Sequence, residues 1–152
     1  NTKIKSKTEC LLYAASRAKH VGDVIMPAIA DGKTVVSDRF ADATLAYQGY
    51  GRELSVNVLR QLNDFATGGL KPDLTFLLDL PVEDGLARAI KRRNLDRLEQ
   101  EAIDFHQRVR NGYLEIARQA CHRIKVIDAS LSVEEIQNEI KDCVLKCVKN
   151  DV

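Results

Sequence analysis

LTFLLDL, at residues 74–80, is an apolar run of strand length that contains a single acid near its end, and it predicts a buried β-strand. Two shorter runs, TVVSD at 34–38 and IKVID at 124–128, predict two more buried strands. Because strands that alternate with helices form parallel sheets, the order of elements predicts an α/β fold. Helical periodicity is found at residues 8–31, 42–48, 55–67, 82–93, 99–120 and 132–148.

Several residues indicate where these helices bend, begin or end. Gly22 and Pro27 are expected to bend or interrupt the first helix. Ser55 is expected to cap the helix at 55–67, and the pair Gly68-Gly69 to end it. The last helix begins with a capping-box pattern at residues 132–135.

The composition is that of one ordinary globular domain. The chain has 152 residues, of which 45% are hydrophobic and 30% charged. Lys and Arg number 23 against 22 Asp and Glu, and the net charge of +1 argues against nucleic-acid binding through bulk charge. Apolar runs never approach the roughly 18 residues of a membrane span, and the N-terminus lacks a signal-peptide core. The four cysteines and three histidines lack zinc-site spacing, so we expect reduced thiols and a cytoplasmic location.

Acidic side chains stand at the ends of all three predicted strands, where parallel sheets bind their ligands. The ends read Asp38-Arg39, Asp79 and Asp128-Ala129-Ser130. The planar fork of an arginine suits phosphate, and an acid beside it can hold a metal-bound water. The alternative for Asp38-Arg39 is a pair that caps a helix or bridges to a neighbour.

A second group of side chains is suited to reading a planar base. Tyr13 and Arg17 lie four residues apart and therefore share one face of the first predicted helix. The segment 42–52 adds a hydroxyl, an amide, two tyrosines and two glycines. An aromatic ring beside a donor fork could clamp a nucleobase. The alternative is a core Tyr13 and a solvated Arg17.

A third group is a basic cluster around the end of the helix predicted at 82–93. Phosphoryl transfer spreads negative charge over the transferring group, and arginines stabilise that charge. A basic loop between two helices has the character of a lid that covers phosphates, whereas a solvated helix end favoured by the helix dipole is the alternative. The cluster comprises Arg88, Lys91, Arg92, Arg93 and Arg97.

In this order and spacing, these segments resemble the bacterial branch of the thymidylate kinase family. The resemblance covers nearly all of the chain, from about residue 9 to residue 139. It rests on LLYAASRAKHV at 11–21, SDRFADATLAYQGYGR at 37–52, FATGGLKPDLTFLLDLP at 65–81, LDRLE at 95–99 and VIDAS at 126–130.

The resemblance implies both a fold and an activity. The fold would be the parallel sheet with flanking helices of the P-loop nucleoside-monophosphate kinases. The enzyme would transfer the terminal phosphate of ATP to dTMP with Mg²⁺, giving dTDP and ADP. It would act as a cytoplasmic homodimer, without a nucleic-acid or membrane partner. The apolar faces at 11–29 and 56–65 are candidates for the dimer surface, and core packing is the other use of such faces.

The resemblance also implies which residues bind the acceptor base and sugar. Tyr13 would stack on thymine, and Arg17 would bond to the base. Thr44 would contact the base, Tyr47 would lie near the sugar, and Gln48 would line the same pocket.

The remaining implied roles concern phosphate, metal and ATP. Arg39 would hold the thymidylate phosphate, and Asp38 would help to place the magnesium. The implied catalytic residues are Asp38, Arg39 and the lid residues Arg92 and Arg97, in a lid loop at about 92–99. The residues that would lie against ATP are Arg88, Arg92, Asp128, Ala129 and Ser130.

One motif of the family is absent from these 152 residues, namely the phosphate-binding loop G-x-x-x-x-G-K-[ST] and its strand. Without that strand, the strands predicted at 34–38 and 74–80 would lack a central partner. Residue 1 is Asn rather than Met. We therefore expect a single but incomplete domain over 1–152, part of a longer protein or a truncated product, and inactive alone. The alternatives are a non-catalytic dTMP-binding or dimerisation fragment, or another deoxynucleotide kinase.

Overall fold

The computed structural model describes residues 4–91, 98–99 and 101–150, with side chains as far as residue 147. They form two compact units, which divide between Lys71 and Pro72. The helices are α1 (Ser6–His20), α2 (Met26–Ala30), α3 (Ala41–Thr44), α4 (Val56–Thr67), α5 (Val82–Lys91), α6 (Ile103–Gln119) and α7 (Val133–Asn150). The strands are β1 (Thr75–Asp79) and β2 (Ile124–Asp128), and π-helical segments occupy Val21–Ile25 and Leu45–Gly51.

In the first unit, α1 and α2 join through a π-helical segment into one continuous helical stretch. Pro27 has no backbone N–H, so an ordinary α-helix would lose a hydrogen bond there. The segment Val21–Ile25 adapts to this by a wider turn, in which the Met26 N–H donates to the Val21 carbonyl. The expected interruption near Gly22 and Pro27 is therefore a local widening rather than a break.

Helix α4 begins and ends where the sequence indicates. The Ser55 hydroxyl accepts a hydrogen bond from the Val58 N–H at 3.5 Å, as an N-cap does. Gly68 ends the helix in the left-handed conformation, with φ at 62°. These two predictions are confirmed, and the buried Leu59 faces the interior of the unit with Leu45 and Ala46.

The prediction of a strand at residues 34–38 is wrong. Residues 33–37 have no regular secondary structure, and the side chain of Val36 is 93% exposed. β-branched residues favour extended backbone, but a strand exists only where a neighbouring strand accepts its hydrogen bonds. Among the described residues, β1 and β2 pair only with each other.

In the second unit, β1 and β2 form a parallel pair in which Thr75 lies opposite Ile124 and Asp79 lies opposite Asp128. These two predicted strands are confirmed, and so is the mixed α/β character of the chain. Helix α6 contacts both strands and α5. Its buried side chains are Phe105, Val109, Ile116 and Ala117.

Two helix starts in this unit contrast with each other. The predicted capping box before α7 is confirmed, because the Glu135 N–H donates to the Ser132 hydroxyl and the Ser132 N–H donates to the Glu135 carboxylate. The start predicted for α6 at Glu99 is wrong, since Leu98 and Glu99 form a turn and the helix begins at Ile103. Within the described part of the chain, no helix has the length and apolar character that crossing a membrane would require.

Candidate functional site

The guanidinium of Arg17 is the centre of a polar network in the first unit. Its Nη1 donates to the Asn63 Oδ1 at 2.8 Å, and its Nη2 donates to the Thr44 Oγ1 at 2.8 Å and to the Phe40 carbonyl at 3.4 Å. The cation also lies 5.9 Å from the centre of the Phe40 ring. These contacts connect α1 with α3 and α4 and hold Arg17 in one orientation.

The partners of Arg17 are uncharged and buried. Thr44 and Asn63 are both in the interior of the unit, and the Asn63 amide donates in turn to the Ala41 carbonyl at 3.0 Å. Burial lowers the pKa of Arg17, and the negative charge of Asp42 offsets only part of that effect. Arg17 therefore keeps a positive charge that its hydrogen-bond partners orient but do not neutralise.

Two other residues share this face of α1 at four-residue spacing, namely Glu9 and Tyr13. The carboxylate of Glu9 is buried and accepts a hydrogen bond from the Gln48 Nε2 at 2.7 Å. Tyr13 lies between Glu9 and Arg17 in the helix and is 43% exposed. The alternative interpretation is therefore wrong for both residues, because Tyr13 is not in the core and Arg17 is bonded to buried partners instead of being solvated.

The predicted phosphate-binding arginine has an uncommon backbone. Arg39 has a positive φ of 64°, the left-handed region that a non-glycine residue seldom adopts. The Ser37 hydroxyl donates to the Arg39 carbonyl at 2.9 Å. The Arg39 guanidinium lies 5.1 Å from the centre of the Tyr47 ring, which is within cation–π range. Arg39 and its neighbour Asp38 are both exposed.

Tyr47, which contacts Arg39, lies on the second π-helical segment, Leu45–Gly51. π-Helical turns are rare in proteins, and many of them lie at functional sites. This segment also carries Gln48, so its successive residues contact Arg39 and Glu9. Among the predicted residues of the first unit, the structure joins Arg17 with Thr44 and Arg39 with Tyr47. Gln48 contacts Glu9, whereas Tyr13 and Asp38 are exposed.

The predicted ATP-side residues belong to the second unit. The Arg88 Nη1 donates to the Ala129 carbonyl at 3.2 Å. The Asp128 carboxylate accepts from the Ser130 N–H at 2.8 Å, and hydrogen bonds from Ser130 lower the pKa of Asp128. Arg92 and Arg97 lie outside the described residues, as does most of the predicted lid at about 92–99.

The end of β1 is occupied by an ion pair that the sequence did not indicate. Arg110 of α6 donates to both oxygens of Asp79, from Nε at 2.7 Å and from Nη2 at 2.8 Å. The bond lowers the pKa of Asp79 and raises that of Arg110. This two-pronged pair satisfies the acid at the strand end and fixes α6 to the sheet.

Comparison with known proteins identifies the family of this chain. A family model described as thymidylate kinase matches residues 1–140. The chain belongs to the thymidylate kinase family. The fold class and the family predicted from the sequence are thereby confirmed.

Three relatives named thymidylate kinase illustrate the similarity. The protein of Lactobacillus helveticus is 51% identical over 142 residues, which are 92% of this chain and 67% of the relative. That of Trichodesmium erythraeum is 51% identical over 144 residues, 95% of this chain and 64% of the relative. That of Oenococcus oeni is 52% identical over 132 residues, 86% of this chain and 62% of the relative. The chain thus spans a little under two thirds of the length of two of these three relatives.

Sequence reasoning missed two residues of the polar network. Glu9 carried a signal, because it lies on the same helix face as Tyr13 and Arg17. Asn63 carried one too, since it interrupts the apolar face of α4 one helical turn after Leu59. Neither signal says which partner the side chain meets, because the partners are 22 or more residues away in sequence.

Proposed function

We propose that this chain provides the thymidylate-binding part of an enzyme that moves the terminal phosphate of ATP to dTMP, giving dTDP and ADP. The observation that carries the proposal is the Arg17 network. A half-buried cation whose three donated bonds all end on neutral oxygens favours an electron-rich ligand. Three relatives that share about half of their residues with this chain over the aligned part bear the name thymidylate kinase.

On this proposal, Tyr13 and Arg17 recognise the base. The partly exposed ring of Tyr13 offers a stacking surface for thymine. Arg17, one helical turn away, donates to a carbonyl oxygen of the base. Thr44 contributes through the bond that it makes to Arg17, and Gln48, which is bonded to Glu9, lines the same pocket.

Arg39 is proposed to bind the thymidylate phosphate. Its guanidinium is exposed and lies against the Tyr47 ring, and its planar fork matches the geometry of a phosphate. The positive φ of Arg39 is a strained conformation of the kind that clusters at ligand-binding sites. The proposed place of Tyr47 near the sugar is compatible with this stack.

The donor set near Asp38 fits a magnesium ion that substrate phosphates help to hold. The described residues contain no group of three acids, histidines or cysteines that would hold a metal by themselves. Mg²⁺ commonly needs only one or two carboxylates when phosphates and waters complete its shell. Asp38 is an exposed carboxylate and would be such a ligand. When bound, the ion neutralises charge on the phosphates.

The second unit is proposed to contribute to ATP binding. Arg88 and the turn at Asp128-Ala129-Ser130 are already joined by a hydrogen bond, so they would act together near adenine and the phosphates. Arg92 and Arg97 complete the proposal as lid arginines that stabilise charge on the transferring group.

The test of this function is a phosphotransfer assay. The product of the complete reading frame that encodes this chain is incubated with ATP, magnesium and dTMP. We expect dTDP and ADP in equal amounts, and much slower turnover with dCMP or dGMP at the same concentration. A preparation that hydrolyses ATP equally with and without dTMP, or that prefers another nucleotide, would contradict the proposal.

We also propose that the protein forms a homodimer through exposed apolar residues of α1 and α4. Phe65 is 87% exposed, and Leu11, Leu12 and Val58 are also exposed. Exposed apolar side chains of this size on two helices that contact each other are candidates for an interaction surface. Sedimentation velocity should show a dimer that Phe65→Glu converts to a monomer. The matched control, Ile90→Glu, changes an exposed apolar residue of α5 and should leave the dimer intact.

A further inference from the structure

Glu9 and Gln48 form a buried polar pair, and the proposed function assigns no task to Glu9. Glu9 is 4% exposed and Gln48 is 2% exposed. The Gln48 Nε2 donates to the Glu9 Oε1 at 2.7 Å. A carboxylate is costly to bury unless hydrogen bonds satisfy it, so the geometry around Glu9 is closely constrained.

The chemistry of this pair determines how the Gln48 amide is turned. An ionised carboxylate can only accept hydrogen bonds. The amide must therefore direct its NH₂ group toward Glu9, which turns the carbonyl oxygen, an acceptor, to the opposite side. Glu9 thus fixes which end of the Gln48 amide faces away from it, and that end accepts hydrogen bonds.

The pair stands beside the residues proposed to bind the base. Along one face of α1, Glu9, Tyr13 and Arg17 follow at four-residue steps. Glu9 is bonded to Gln48, and Arg17 is bonded to Thr44, which itself lies four residues before Gln48. Two cross-links between the same two segments therefore bracket Tyr13.

We propose that Glu9 is a positioning residue for base specificity, a role that rests on the proposed function. By holding the NH₂ group of Gln48, it presents the Gln48 carbonyl oxygen to the base. Thymine and uracil carry a hydrogen on N3 and can donate to that oxygen, whereas N3 of cytosine is an acceptor and is repelled. Glu9 thereby selects pyrimidines with an N3–H without contacting them.

The test compares dTMP with 5-methyl-dCMP, which has the same methyl group and differs at N3 and at position 4. Both affinities are measured by calorimetry with the product of the complete reading frame. Glu9→Gln replaces an acceptor by a side chain that both donates and accepts, so the Gln48 amide can turn either way. We expect the preference for dTMP to fall about tenfold, the value of one hydrogen bond.

Two controls separate positioning from general damage. Cys10→Ala alters a buried neighbour of Glu9 and should leave the preference unchanged. In Gln48→Leu, the preference should also fall, and adding Glu9→Gln should cause no further change, because the two residues act through one contact. Additive effects of the two substitutions, or an equal loss of affinity for both nucleotides in Glu9→Gln, would overturn the proposal.

A measurement on the unaltered protein covers the case in which Glu9→Gln does not fold. The side-chain NH₂ protons of Gln48 should exchange slowly with solvent both without and with dTMP, since they stay bonded to Glu9. Loss of that protection on dTMP binding would overturn the role of Glu9 and would leave the proposed function standing. Absence of dTMP binding by the unaltered protein would overturn the proposed function together with this inference.

Discussion

Arg17 and Arg110 are both helical arginines that reach across to another part of their own unit, yet their surroundings are opposite. Arg110 donates from two nitrogens to the carboxylate of Asp79, and the pair is electrically neutral. Arg17 donates to the neutral oxygens of Asn63, Thr44 and Phe40. The pKa of Arg110 is raised by its partner, whereas burial lowers the pKa of Arg17.

The contrast teaches how to distinguish a structural arginine from one prepared for a ligand. A bidentate ion pair uses the donors of the guanidinium and cancels its charge, so little attraction remains for a further anion. Neutral partners orient the guanidinium and leave its charge available. We therefore expect substitutions at Arg17 to affect binding and substitutions at Arg110 to affect stability.

The largest effect is expected for Arg17→Ala. Removal of a charged donor should weaken dTMP binding by roughly tenfold to a hundredfold, because hydrogen bonds that involve a charged group contribute about 1.5–3 kcal/mol. ATP affinity should change little. Calorimetry of both ligands checks this, with Arg118→Ala as the control, since Arg118 is an exposed arginine paired with Glu115. Unchanged dTMP affinity would refute the assignment of Arg17 to the base.

A smaller effect is expected for Arg110→Ala, and it should appear in stability. The free energy of unfolding should fall by about 1 kcal/mol at neutral pH, the upper range for partly exposed pairs, while dTMP affinity stays unchanged. Urea denaturation of both proteins measures the difference.

The pH dependence of that difference tests its cause. The folded-state pKa of Asp79 lies below its ordinary value, so the stabilisation is present above the unfolded pKa of about 4 and is lost as pH falls through the folded pKa. The gap between the two proteins should therefore be constant from about pH 5 to 8 and should close at lower pH. If the difference in the free energy of unfolding were equally large in strong acid, Arg110 would stabilise the protein through packing and not through its charge.

The smallest effect concerns a third arginine, Arg39, whose neighbour is an aromatic ring. Tyr47→Leu removes the cation–π contact and should weaken dTMP binding about threefold, as expected for about 0.5–1 kcal/mol at an exposed site. Tyr47→Phe should retain most of the affinity. Thymidine, which has no phosphate, should bind all three proteins alike. If Tyr47→Leu lowers the affinity for thymidine as much as the affinity for dTMP, the ring acts on the sugar or base and not through Arg39.

Predictions from sequence succeeded where the deciding interaction is local. Ser55 and Gly68 limit α4, and Ser132 with Glu135 begins α7, because each of these contacts spans only a few residues. The prediction of a strand at 34–38 was wrong, because among the described residues no neighbouring strand pairs with this segment. The proposed roles of the site residues stay predictions.

The family, the α/β class and the side chains that are candidates for binding a nucleotide could be read from the sequence. Those properties follow from residue types at fixed spacings along one chain. Tertiary structure alone decided that Arg17 is surrounded by neutral oxygens, that Asp79 is neutralised by Arg110 and that Glu9 orients Gln48. These contacts join residues that lie 23 or more positions apart, and spacing in sequence carries no information about the partner that folding brings to a side chain.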